Sequence, residues 1–187
     1  PISAKQMVSG ALVNKTAKSY QGGEWVEWIR YLYNNGNTYD DITGGWDSSL
    51  SISKFNAFNL TRKDAEFGDT SIIFDLSSAG NFSYIPITSG LIDLTDTKTI
   101  HVDYTVKSKC YGAFLGVSSS KTIESVNEPD IPAKIKFLYD ANPIGNATAD
   151  LDVSGTPTGK YYVVVWAYVG GSDDVRGCFE INSIWRE

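Results

Sequence analysis

Histidine and cysteine are almost missing from this chain of 187 residues, which has one histidine, His101, and two cysteines, Cys110 and Cys178. That count excludes a histidine-rich zinc site, and two cysteines without metal-type spacing cannot supply the missing ligands. The cysteines read as reduced, partly buried thiols; the alternative is a bridge across the fold, which spacing alone does not decide. A Ser-His-Asp or Cys-His arrangement would have to use His101, and nothing near it in sequence supports one, so it reads as a solvated surface histidine. A phosphate loop is lacking as well, because Gly44-Gly45 and Gly170-Gly171 have neither the lysine nor the following helix. No apolar run approaches the length of a bilayer span, and Pro1-Ile2-Ser3-Ala4-Lys5-Gln6 shows no secretory pattern. Net charge is −6 with a pI near 4.8 and there is no basic stripe. Nucleic acid and anionic membrane surfaces are therefore unsuited as partners.

Helix-forming runs of Ala, Leu, Glu and Lys are scarce, whereas aromatics reach 13% and glycines are frequent, which points to an all-β fold. The organising stretch is Tyr161 to Val169. Val163, Val165, Ala167 and Val169 alternate with Tyr162, Val164, Trp166 and Tyr168. Both faces are apolar, so the spacing predicts a central strand covered on both sides. Gly170 to Asp174 then reads as a turn, with residues 178–185 returning as the partner strand of a hairpin. Further strands are expected at 28–33, 71–76, 81–87 (ending near Pro86), 99–106, 111–117, 133–139 and 149–153. In 99–106 the alternation turns Ile100, Val102, Tyr104 and Val106 inward and Thr99, His101, Asp103 and Thr105 outward. Gly112 and Gly116 suit close packing or a bulge. About eight strands imply an antiparallel two-sheet β-sandwich of the jelly-roll type, residues 24–187, behind a linker or oligomerisation lead-in of residues 1–23.

Carboxylates at Asp40, Asp41, Asp47, Asp64, Glu66, Asp69, Asp173 and Asp174 would have to form a positioned pair to cleave a glycosidic bond. Most fall in turns, where Asp bonds its own backbone, so hydrolysis is the third-ranked function. The same oxygens suit a structural calcium ion, but no EF-hand spacing assigns ligands and no other cofactor is implied. The aromatics suggest a different use. Sugar rings stack on Trp and Tyr while amides and carboxylates meet their hydroxyls. Candidate ligand-binding residues are Tyr31, Tyr33, Tyr39 and Trp46 around the loop 34–45, with Tyr139 and Tyr168 on strands; core packing is the competing explanation for each.

Several fragments in order carry a family resemblance. Leu32-Tyr33-Asn34-Asn35-Gly36-Asn37 and Asp41-Ile42-Thr43-Gly44-Gly45-Trp46 come first, then Ile92-Asp93-Leu94-Thr95 and Lys98-Thr99-Ile100-His101-Val102-Asp103. Leu115-Gly116-Val117-Ser118-Ser119-Ser120, Tyr161 to Val165 and Ile181-Asn182-Ser183-Ile184-Trp185 complete the set. Over residues 30–187 the chain resembles a domain of tail and baseplate proteins of phages and prophages of Gram-positive bacteria. In the first loop, where the resemblance leads one to expect a cysteine, this chain has Tyr39-Asp40-Asp41. The resemblance implies a sandwich similar to carbohydrate-binding modules, displayed on a virion without catalysis as a receptor-binding part. Its expected partners are bacterial cell-wall polysaccharide or teichoic acid and other virion or tail subunits. It further implies synthesis in the bacterial cytosol, release by lysis and a homo-oligomer, commonly a trimer. A purely architectural virion domain is the second-ranked expectation.

Overall fold

The computed structural model describes residues 5–8, 11–14, 18–21, 24–27, 30–39, 43–54, 59–127, 129–139, 142–171 and 174–187, with side chains from residue 30 onwards except at 43 and 44. Every regular element among them is a strand. The first ten are β1 (Lys5–Val8), β2 (Ala11–Asn14), β3 (Lys18–Gln21), β4 (Glu24–Glu27), β5 (Arg30–Asn34), β6 (Asn37–Thr38), β7 (Thr43–Asp47), β8 (Ser51–Lys54), β9 (Thr61–Arg62) and β10 (Glu66–Phe67). The chain continues through β11 (Ile72–Asp75), β12 (Ser83–Asp93), β13 (Thr99–Val106), β14 (Gly112–Ser118), β15 (Thr122–Ser125), β16 (Ala133–Tyr139), β17 (Gly145–Asp152), β18 (Lys160–Val169) and β19 (Cys178–Arg186). Strands β1 and β2 pair with each other, as do β3 and β4. The expected boundary at residue 23 falls between β3 and β4; Trp28, Ile29, Asp40, Asp41 and Asp173 lie outside the described residues.

Two sheets form the body. The first runs β10-β11-β19-β13-β17, with β5 beside the second half of β19 and β6 beside β5. The second runs β16-β14-β18-β12-β7, with β9 parallel to the start of β12. The chain crosses between sheets after β6, β9, β11, β12, β13, β16, β17 and β18. This is the antiparallel β-sandwich that the alternation implies. Its inner layer includes Ile100, Val102, Tyr104 and Val106 of β13, Phe179, Ile181 and Ile184 of β19, and Val163, Val165, Ala167 and Val169 of β18. Each fully buried aliphatic or aromatic side chain there contributes roughly 1.5–3 kcal/mol before entropy is counted.

A second apolar cluster lies on the other side of β18. Val164, Trp166 and Tyr168 pack with Tyr84 and Phe114, and this layer is closed by Leu50, Ile52, Ile123 and Val126. The lid is a short parallel pair, β8 with β15. Trp166 is fully buried, stacks on Phe114 at 5.0 Å between ring centroids, and donates its indole N–H to the Val126 carbonyl at 2.8 Å. A third layer therefore explains why both faces of β18 are apolar.

Two expectations need correction. Strands β18 and β19 are not a hairpin: they belong to different sheets. The connection is a crossing fixed at several points. Asp174 accepts the Gly170 and Gly171 N–H groups at 2.5 and 2.6 Å, and Arg176 donates to the Ala79 carbonyl at 2.8 Å. Gly177 passes so close to the 107–111 connection that an added Cβ would lie 1.9 Å from the Lys109 carbonyl oxygen. Pro86 does not end a strand either; β12 continues to Asp93. The proline sits between the segment of β12 paired with β9 and the one paired with β7, where no neighbouring strand requires its missing N–H. Gly112 and Gly116 behave as expected, since an added Cβ would meet Lys136 Cε at 2.9 Å and Ile131 Cδ1 at 2.6 Å respectively.

Candidate binding face

The first sheet keeps its outer face polar and aromatic, and cross-strand register sorts that face into rungs. On the first rung Tyr31 of β5 is opposite Trp185 of β19, which is opposite His101 of β13, which is opposite Asp150 of β17. Tyr31 lies 5.7 Å from Tyr39 and 6.5 Å from Trp185, and the Trp185 and His101 rings stack at 4.9 Å with planes 14° apart. Three strand spacings make the rung about 14 Å wide. All four rings are half-buried, with an edge or face left to solvent.

His101 is clamped. Its Nδ1 lies 2.7 Å from Asp150 Oδ1, and its Nε2 lies 2.8 Å from Glu187 Oε1, inside ion-pair distance but outside hydrogen-bonding geometry. The clamp holds the imidazole flat against Trp185 and thereby limits the indole's freedom. It also fills the space between those two carboxylates, so they cannot flank a scissile bond there. The residue expected to be a solvated surface histidine has in fact only 12% of its side chain exposed.

On the next rung Asn34, Asp103 and Thr148 face outward, with Ser183 buried between Asn34 and Asp103. Beyond it, Asn182 Nδ2 donates to Thr105 Oγ1 at 3.0 Å, and Thr105 donates to Asn146 Oδ1 at 2.8 Å. A bulge between Asp103 and Tyr104 turns both Asn182 and Ser183 to this face. Rings beside amides, hydroxyls and carboxylates are the chemistry that holds a saccharide: apolar C–H faces stack while hydroxyls are hydrogen-bonded.

The six residues singled out in the sequence do not form one site. Tyr31 and Tyr39 belong to the face just described. Tyr33 is on β5 but points inward and is buried, with its hydroxyl accepting the Gly36 N–H at 3.1 Å. Burial raises the Tyr33 hydroxyl pKa, while the Gly36 N–H acts in the opposite direction. Trp46 is partly buried against the main core and donates its indole N–H to the Leu32 carbonyl at 3.2 Å. Tyr139 and Tyr168 belong to the second sheet. Tyr168 is buried in the second core, and burial, helped by Tyr111 and Asp174, pushes its hydroxyl well above the ordinary tyrosine range. Tyr139, Tyr111 and Tyr168 surround the Lys136 ammonium at 4.9, 4.8 and 5.9 Å from their ring centres. Trp185 and His101 are the rings of the face that sequence reasoning did not select, and its polar members, Asp103 among them, went unselected too.

The carboxylates at strand ends are largely committed to turns. Asp75, Asp93 and Asp152 each accept the backbone N–H two residues on, at 2.8 to 2.9 Å, and the hydrogen bonds from Ser77, Thr95 and Ser154 lower their pKa values. At Asp47 burial raises the pKa, but bonds from Ser49 and the Lys121 ammonium 3.2 Å away outweigh it, so the net direction is down. Among the described residues no three His, Cys, Asp or Glu side chains converge on a point. One polar cleft of about 250 Å³ opens where Arg30 and Arg186 follow the Tyr31–Trp185 pair, lined also by Asp93, Thr95 and Asp96. Arg186 is tied there to the Asp93 carbonyl and to Thr97 Oγ1.

No protein-family model matches the chain, and no curated protein matches it. Among solved structures, the chain is similar to a family 6 carbohydrate-binding module from Clostridium cellulolyticum in complex with xylose, at 14% identity and a TM-score of 0.35, over 63% of this chain and 87% of that one. It is also similar to the K2 cleaved adhesin domain of Lys-gingipain, at 15% identity and a TM-score of 0.34, over 64% and 73%. Overlap at this level identifies neither a family nor a ligand.

Proposed function

We propose that this domain binds a surface glycan without cleaving it, and that the Tyr39–Tyr31–Trp185–His101 rung is where a chain of sugar rings lies. The observation that carries this reading is the stacked, clamped Trp185–His101 pair on an outward sheet face. A ligand gains from partly exposed rings ordered in advance, because less side-chain freedom is lost on binding. The polar rungs beside it supply amides, hydroxyls and a carboxylate. Binding rather than hydrolysis is supported by the imidazole that occupies the gap between Asp150 and Glu187.

The wider setting is a tail or baseplate of a phage or phage-like particle, where the domain meets host cell-wall polysaccharide as a receptor-binding part, assembled with other tail subunits and as a homo-oligomer such as a trimer. What supports this is the ordered set of sequence fragments between residues 30 and 187. Retention on purified cell walls of Gram-positive hosts tests the binding. The intact chain is retained, Trp185→Ala is not, and no reducing sugar is released. Equal retention of the Trp185→Ala and Tyr31→Ala variants would remove the face from consideration and favour a purely architectural role.

A further inference from the structure

The charge and the uncommitted acceptor on the middle rung narrow the ligand; this step rests on the binding face described above. On β13, β17 and β19 the outward carboxylates are Asp103, Asp150, Asp152 and Glu180, with Glu187 directly after β19. Four of the five are engaged. Asp150 and Glu187 bracket His101, Asp152 accepts the Ser154 N–H at 2.9 Å, and Glu180 pairs with Lys107 at 3.1 Å. Asp103 alone has no side-chain hydrogen bond or ion pair among the described residues, although it is half-buried. It sits between Ser183 and Thr148, one rung from Trp185 and His101. A half-buried carboxylate without a protein partner retains its full capacity to accept hydrogen bonds, and a donor brought to it there gains more than it would in open water.

Lys107, directly after β13, is held by Glu180 at the far end of the face. A phosphate or carboxylate arriving over the middle rung therefore meets Asp103 with no lysine or arginine on that rung. We infer that Asp103 is the ligand-orienting acceptor of this face, and that it selects saccharides carrying donors, above all a free amino group as in a de-N-acetylated hexosamine, over phosphate-bearing polymers. The ammonium of such a sugar would pair with Asp103 while its ring stacks on Trp185. Teichoic-acid-type polymers, expected from the resemblance as one of two ligand classes, are disfavoured by the same charge.

Calorimetric titration of the intact chain with three probes tests this: glucosamine oligosaccharide, N-acetylglucosamine oligosaccharide and poly(glycerol phosphate). Affinity falls in that order, with the amino form about fivefold tighter than the acetylated form, as suits a partly exposed ion pair. Raising salt compresses the difference. Asp103→Asn preserves shape and brings the first two probes to within about twofold, with thermal unfolding unchanged. The inference is overturned if the phosphate polymer binds as tightly as the amino sugar, or if Asp103→Asn leaves the amino preference intact. Should the unmodified chain bind all three alike through Trp185, the face survives and only the charge selection fails. Should it bind none, the binding face itself falls.

Discussion

Replacing Trp166 separates the two aromatic systems of this protein. Trp166 is fully buried in the second core, stacked on Phe114 with planes 3° apart, and its indole N–H is bonded to the Val126 carbonyl in the lid. Trp166→Ala removes a large buried ring and leaves a cavity, at a cost of about 3–5 kcal/mol. It also strands the Val126 carbonyl, which adds about 1 kcal/mol. For a chain of this length each kcal/mol lowers the midpoint by about 2–4 °C, so a fall of about 10–15 °C is expected in a thermal melt. Trp166→Phe keeps a ring against Phe114 and loses only the indole bond and some volume, which gives about 1–2 kcal/mol and about 3–6 °C. Both effects are read by circular dichroism and repeated in urea. Glycan binding by Trp166→Phe stays at the level of the unmodified chain, because the binding face belongs to the other sheet. A shift below about 3 °C for Trp166→Ala would show that β8 and β15 do not seal a core. Loss of binding in a folded Trp166→Phe variant would show that the two systems had been assigned to the wrong roles.

Other outcomes follow from the same structure. Trp185→Ala and Tyr31→Ala each weaken glycan binding by about 2 kcal/mol, roughly thirtyfold in Kd, as loss of a central aromatic anchor does, with a much smaller effect on the melt. Gly177→Ala destabilises by about 2 kcal/mol or more, since its Cβ would collide with a backbone carbonyl rather than a movable side chain; a urea titration reads this directly. Cys110 resists alkylation at pH 8 in the folded chain, because burial, reinforced by Cys178 and Asp75, pushes its thiol up to about 12; mass spectrometry before and after denaturation checks this. Its folded value lies above its unfolded one, so the stability it contributes is complete below the unfolded thiol value near 8.5 and is lost as pH rises toward 12. Cys110→Ala therefore flattens the alkaline side of the stability profile.

Much of the fold was legible because period-two alternation reports faces directly. β13 shows it, with Ile100, Val102, Tyr104 and Val106 inward as the sequence indicates, and β18 shows it again, with apolar residues on both sides because both sides are covered. What alternation does not carry is pairing between distant strands. The hairpin expected of β18 and β19 failed for that reason: residues 170–177 look like a turn in composition, yet Asp174, Arg176 and Gly177 anchor them to other parts of the chain. The proposed face was only half visible on the same account. Tyr31 and Tyr39, picked out around their loop, lie on it. Trp185 and His101 gain meaning only when β5, β19, β13 and β17 lie side by side, and no local signal in the sequence states that register. Conversely, Tyr33, Trp46 and Tyr168 were drawn in by residue type, although the core takes them. Tyr139 also lies on the second sheet, beside Lys136 and Tyr111.

The most direct test of the binding face is a residue-resolved NMR titration of the intact chain with solubilised cell-wall glycan. Amide and indole shifts move together, and saturate, at Tyr31, Asn34, His101, Asp103, Ser183 and Trp185, while the Trp166 indole stays still. Shifts centred instead on Tyr111, Lys136 and Tyr139, or no saturable shifts at any glycan concentration, would contradict it.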